Sequence, residues 1–223
     1  LIMSEDKKSG EMASVFNEKF GITKGVKKAY EKLVGTGKNR NQKVDYLFKQ
    51  FMKRKPTKKE LQDISNHFGD HYAQDMGKCP LFQCTNIIKE LKEQVDFMFL
   101  LSLENKKEVK LVAQQCGVAQ YFDSILGGPT SKVENLHEVI TKHTFKPQEI
   151  LYIGDSHSDV VASKKLKMKV ILLGKKHTYE KLKEDLKADF VFSSLCEIPH
   201  SIKDLKFNVE KCTETISILV KFV

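Results

Sequence analysis

The rhythm of this chain after residue 80 constrains its fold more than any other feature. The apolar run 95–101 reads as a buried parallel strand, followed by a helix over 106–115. A short strand over 124–126 leads to a helix over 132–142. A strand over 150–153 ends at Gly154 and leads to a helix over 159–166. Strands over 170–173 and 190–192 close the series. Strands that alternate with helices need crossover connections. The pattern therefore predicts an α/β fold, a parallel sheet with helices on both faces.

The region before residue 80 has a different period. Val44, Leu47, Phe48, Phe51 and Met52 recur on one helical face. Thr57 and Glu60 have the spacing of a capping box behind Pro56, and Leu61, Ile64, Phe68 and Tyr72 form the next stripe. Two earlier helices are expected over about 9–19 and 24–34. Nothing in 1–78 reads as a strand, so residues 1–79 form an all-helical unit, residues 80–204 the sheet core, and residues 205–223 a C-terminal extension.

Composition excludes several classes. With 40% hydrophobic and 30% charged residues, the 223-residue chain has the balance of a soluble globular protein. No apolar run reaches the roughly 18 residues of a membrane span, and no signal-peptide pattern opens the chain. The net charge of +9 comes almost wholly from lysine, since Arg40 and Arg54 are the only arginines. Lysines interleaved with acids read as a solvated surface, and no nucleic-acid or membrane partner is expected. The five cysteines (Cys79, Cys84, Cys116, Cys196 and Cys212) include no C-x-x-C and read as free thiols of a reducing cytosol, hence a cytoplasmic protein.

In a doubly wound sheet the ligand sits outside the carboxyl ends of the strands. Three groups stand there. Ser102 comes after the first strand, Lys132 closes the phrase Gly127-Gly128-Pro129-Thr130-Ser131-Lys132, and Gly154-Asp155-Ser156-His157-Ser158-Asp159 comes after the third. A hydroxyl and a lysine suit phosphate oxygens, and a pair of carboxylates suits a hard cation such as Mg²⁺. Each alone has a plain structural explanation: a helix cap, a surface lysine, a turn. Their order and spacing together are what point to phosphoryl chemistry.

These phrases resemble the haloacid dehalogenase (HAD) superfamily, and most of all its phosphatases with a helical type-1 cap, of the phosphoglycolate phosphatase kind. The apolar strand 150–153 with Gly154, Asp155 and Asp159 matches that family's G-D-x-x-x-D motif. Lys132 matches the lysine of its third motif and Ser102 the hydroxyl of its second, although Leu103 stands where asparagine is common. Tyr121-Phe122-Asp123 and Ala188-Asp189-Phe190-Val191 match two further phrases. The resemblance covers roughly 1–204. It implies a HAD-type Rossmannoid sheet with an all-helical cap, and, for the full-length parent, Mg²⁺-dependent hydrolysis of a small phosphate monoester through an aspartyl-phosphate. Asp155 would ligate Mg²⁺, and Asp159 would support it directly or through water; Lys132 would bind the phosphoryl group of a small phosphorylated metabolite and hold the carboxylates in place, and Ser102 would hydrogen-bond a phosphoryl oxygen. Arg40, in a loop between cap helices, would bind an anionic part of the substrate. His157 lies between the two aspartates, in a mechanism that requires no histidine.

The family's first motif, an apolar strand ending D-x-D that carries the nucleophile and the general acid, is not found in this chain. The opening Leu1-Ile2-Met3-Ser4-Glu5 resembles the stretch just downstream of that motif in the family. The catalytic pair is therefore expected upstream of residue 1, and the chain itself is expected to be inactive. The alternative is a non-catalytic module that binds a phosphate ligand or a protein. The missing strand is central in the family's sheet, so its loss would leave backbone groups unpaired on both neighbours. The apolar, β-branched tail 215–223 is either a frayed extension or a strand that fills this slot.

Overall fold

The computed structural model describes residues 5–76, 86–174, 188–198 and 217–221, with side chains described except at 5–6, 71–76 and 217–221. The opening 1–4, Cys79, Cys84, Cys212 and the side chain of Tyr72 lie outside the described residues.

The first unit is helical, as its periodicity predicts: α1 (Glu5–Phe20), α2 (Val26–Glu31), α3 (Arg40–Leu47) and α4 (Lys58–Met76), with a π-helical turn at Phe48–Met52 after α3. The capping box at the start of α4 is formed, with the Glu60 amide on Thr57 Oγ1 at 3.2 Å and the Thr57 amide on Glu60 Oε2 at 2.7 Å. The apolar stripes meet in one cluster. Phe16, Phe20 and Phe48 pack edge to face there at centroid distances of 5.2–5.7 Å, a geometry that aligns ring edges with ring faces.

Beyond α5 (Ile87–Lys92) the strands and helices alternate: β1 (Phe97–Asn105), α6 (Lys106–Gln115), β2 (Ser124–Gly128), α7 (Lys132–His143), β3 (Ile150–Gly154), α8 (His157–Lys165), β4 (Lys169–Leu173) and β5 (Phe190–Phe192). β1 runs past the expected end at 101 to Asn105, by way of a register shift against β2 between Leu101 and Asn105. The period of two sorts side chains between the faces. Met98 and Leu100 pack with Val109 and Val112 of α6 and with the cap cluster. Phe99 and Leu101 pack on the other face with Leu136 and Val139 of α7.

The tail resolves the question of the central slot. Ser217–Lys221 forms β6, and the sheet order is β2-β1-β6-β3-β4-β5. β6 runs parallel to both neighbours, with Leu219 opposite Phe99 on β1 and Tyr152 on β3. The central position left open by the sequence is thus occupied by the last strand, and the backbone groups of β1 and β3 find partners on it.

One expectation on the cysteines is corrected. Cys116 forms no disulfide, but Cys196, in the short 3-10 turn Leu195–Glu197, is disulfide-bonded. Cysteine spacing along a chain does not reveal pairing between distant segments. Among the described residues no helix is long and apolar enough to cross a membrane.

The dependence of the sheet on β6 is testable with Leu219→Pro, which removes a donor from the middle of a central strand. A buried carbonyl left without its donor costs about 1–3 kcal/mol, so the urea midpoint should fall accordingly. An unchanged midpoint would mean that β6 does not hold the centre of the sheet.

Candidate active site

The carboxyl ends of β1, β2 and β3 face the first turns of α6, α7 and α8, and the chemistry-bearing residues sit at these junctions. Asp159 is the hub. It is the third residue of α8 and closes a capping box with Ser156, which turns its carboxylate back toward the strand end. Gly154 makes room for this: a Cβ there would lie 2.5 Å from Asp159 Cγ, so a larger residue would push the carboxylate away.

Asp159 is fully buried, and both of its oxygens are engaged. Oδ1 accepts from Lys132 Nζ at 2.5 Å and from Tyr152 Oη at 2.8 Å. Oδ2 accepts from the Ser156 amide at 2.9 Å, the Asp155 amide at 3.3 Å and the Ser156 hydroxyl. A carboxylate that offers about four lone-pair directions is saturated by such a set. Asp159 thus anchors Lys132. Burial, and then the Asp159 charge, hold the Tyr152 phenol well above its ordinary pKa, so it remains a donor to that carboxylate.

Lys132 opens α7 behind the Ser131–Glu134 capping box. Its side chain is buried, and Nζ also reaches Ser158 Oγ at 2.9 Å. Ser102 is buried near the end of β1, where its hydroxyl accepts from the Glu104 amide at 3.2 Å. Asp155, the first residue past β3, is exposed, as is His157. The loop before α3 lies across this end of the sheet. Asn39 Nδ2 donates to the Pro129 carbonyl at 3.2 Å, and Gly37 packs so tightly that a Cβ there would lie 2.9 Å from Ser158 Cβ.

Lys132, Asp155 and Asp159 are thus brought together around α8, with Ser102 two strand positions away across β6. Arg40 is placed otherwise. It is buried, and its guanidinium binds Glu104 Oε2 at 2.9 Å and Glu108 Oε1 at 3.0 Å rather than standing open toward a substrate. Sequence reasoning does not single out Tyr152, Ser156, Ser158, Glu104 or Glu108. Tyr152 does carry a signal: it is the one polar-tipped residue in the aliphatic strand Ile150–Gly154, and a buried tyrosine hydroxyl needs a partner.

The donor set for a cation is sparse. Mg²⁺ takes oxygen ligands in octahedral geometry, commonly one or two carboxylates with phosphate and water. Both Asp159 oxygens already accept hydrogen bonds, and among the described residues no three His, Cys, Asp or Glu side chains are grouped to hold a metal. The described residues do not build a Mg²⁺ site on their own.

Two substitutions separate charge from hydrogen bonding at the hub. Asp159→Asn keeps the shape but leaves the Lys132 ammonium buried without a counter-charge, which should cost about 3–5 kcal/mol. Tyr152→Phe removes one hydrogen bond and should cost about 1 kcal/mol in the same urea titration. Equal losses would show that the ion pair contributes no more than the phenol. A pH series tests the second cluster. Burial would raise the Glu104 carboxyl, but the charges of Lys8, Arg40 and Lys43 outweigh it and hold the pKa at about 2, below the ordinary 4.5. A lowered carboxyl stabilises the fold fully above its unfolded value and loses that contribution as pH falls toward the folded one. The urea midpoint should drop between about pH 5 and about pH 3, and drop less in Glu104→Gln; identical drops would exclude Glu104 as a source.

Comparison with known proteins agrees with this fold. Residues 13–173 match the family described as haloacid dehalogenase-like hydrolase. Curated relatives include the phosphoglycolate phosphatase of Vibrio vulnificus, 33% identical over 113 residues, which covers 47% of this chain and 50% of that protein. The phosphoglycolate phosphatase of Haemophilus influenzae is 23% identical over 151 residues, covering 64% of this chain and 66% of that one. The chain matches about half the length of the first of these relatives. Among solved structures, CbbY from Rhodobacter sphaeroides in complex with phosphate superposes with a TM-score of 0.74 at 16% identity, over 92% of this chain and 94% of that one. β-Phosphoglucomutase from Clostridium difficile superposes with a TM-score of 0.71 at 19% identity, over 93% of each chain. At such identities the superpositions speak for the fold, and the family match spans most of the chain: it belongs to the haloacid dehalogenase-like hydrolases.

Proposed function

We propose that this chain is a phosphatase-like member of that family whose site takes the phosphoryl group of a small phosphate monoester. The observation that carries the reading is the position of Lys132. Its ammonium is buried at the carboxyl ends of the strands and held there by Asp159 and Ser158. A fixed point charge in a site of low polarity binds an anion far more strongly than a mobile surface lysine does. In this reading Lys132 binds phosphoryl oxygens, the Ser102 hydroxyl donates to one of them, and the saturated Asp159 positions Lys132. Asp155 is the exposed carboxylate that would hold Mg²⁺, which would neutralise phosphoryl charge.

The relatives support the substrate class. Two are phosphoglycolate phosphatases, and CbbY from Rhodobacter sphaeroides was also solved with xylulose-1,5-bisphosphate, at a TM-score of 0.72 and 17% identity over 92% of this chain. Phosphorylated two- to five-carbon acids and sugars are therefore the esters to try first.

Turnover is a separate matter from binding. An aspartyl-phosphate needs a carboxylate at the end of the central strand. Here that strand is Ser217–Lys221, which contains none, and no D-x-D occurs in the 223 residues. The reading is therefore that the 223 residues bind phosphate esters and do not hydrolyse them.

Calorimetric titration with inorganic phosphate and 2-phosphoglycolate, beside a p-nitrophenyl phosphate assay with Mg²⁺, tests both halves. Binding should be measurable and should weaken about tenfold or more in Lys132→Ala, with a smaller loss in Ser102→Ala. No p-nitrophenol should be released. Turnover by the chain would refute the inactive reading, and affinity indifferent to both substitutions would refute the assignment of the site.

A further inference from the structure

We propose that Arg40 is a latch that holds the helical cap closed on the sheet, by joining α4 of the cap to Glu104 and Glu108 of the core. Its guanidinium reaches both units at once. On the cap side Nη1 donates to the Ser65 carbonyl at 3.3 Å, and the guanidinium carbon lies 4.4 Å from the centre of the Phe68 ring. On the core side Nη1 binds Glu108 Oε1 at 3.0 Å, and Nη2 binds Glu104 Oε2 at 2.9 Å and Glu108 Oε2 as well. Lys8 of α1 adds a second cap cation, 3.5 Å from Glu104 Oε1.

The planar fork of arginine matches two carboxylates in a way that a single ammonium does not. The interface is shaped for the pair. The Glu108 carboxylate lies against Gly69 of α4 where a Cβ would collide with it. The Arg40 and Glu104 side chains are each 7% exposed and that of Glu108 14%, so little water screens them.

The location gives the latch its consequence. Arg40 is the residue at which the loop 35–39, lying over Ser156, Ser158 and Pro129, enters α3. Cations from the cap and anions from the core pair only when the two units touch. Without Arg40, Glu104 and Glu108 would be left close together with Lys8 as their nearest remaining cation, and they would repel one another across the seam. The arginine thereby fixes how the cap loop covers the site, as a positioning residue with no contact to the substrate.

Hydrogen exchange followed by mass spectrometry tests this in the whole chain. In Arg40→Met, peptides from 35–47 and from α4 should exchange about 100-fold faster or more, while β3 and β4 keep their protection. Arg40→Lys should fall between, because one ammonium cannot bridge both carboxylates. Uniform acceleration of cap and core would reduce Arg40 to a general stabilising residue and overturn the latch, as would unchanged exchange in the cap. Should Arg40→Met fail to fold, Glu108→Gln, which leaves the Glu104 pair intact, must still accelerate the cap selectively; a cap as protected as in the unaltered chain overturns the proposal.

Discussion

The pairing of β6 with both β1 and β3 is the constraint on which the rest of the molecule depends. A central parallel strand satisfies two rows of backbone groups at once, and each row is buried by helices on both faces of the sheet. Ser102 and Asp155 stand at the ends of the two strands that β6 joins. Their mutual position therefore rests on a segment that contributes no carboxylate of its own. In this chain an apolar strand without a carboxylate among residues 217–221 completes the sheet.

The second organising element is the buried charge at Asp159. Isolated burial of a carboxylate is prohibitive, and five donors from Lys132, Tyr152, Asp155 and Ser156 make it tolerable. The same donors decide what the residue can do. An aspartate with both oxygens occupied orients a lysine, while the neighbouring Asp155 is exposed at the strand end. Two aspartates four residues apart thus stand in different surroundings, one buried among donors and one exposed.

Much of this was legible in the chain because it is written in local periods. The helical stripes, the Thr57–Glu60 cap and the strands at 124–128, 150–154 and 169–173 arise from spacing within a few residues. So does the convergence of Ser102, Lys132 and Asp155, since a parallel sheet brings its carboxyl ends to one side. The parts that were not legible depend on contacts between distant segments. Arg40 reads as a loop arginine until Glu104 and Glu108, 64 and 68 residues away, close around it. The bond at Cys196 has no local mark either. The tail lies between these cases. Its composition announced a strand, but only the two-sided register showed that the strand belongs at the centre.

Of the two buried charge clusters, that of Arg40 is the one that crosses between cap and core. Lys132 with Asp159 joins α7 to α8, and Arg40 with Glu104 and Glu108 joins the cap to β1 and α6. The clusters differ in kind. The first lies wholly within the core and is saturated by neutral donors, so its charges have no alternative arrangement. The second spans a seam between separately packed units, and its members regain water if the seam opens. Such a seam contributes less to net stability than an apolar contact of equal size, but it permits only one relative placement of the two surfaces, because guanidinium and carboxylates must meet in plane. An apolar interface alone would let the cap slide over the strand ends. The arginine fork holds the point where the loop 35–39 enters α3 against Glu104 and Glu108.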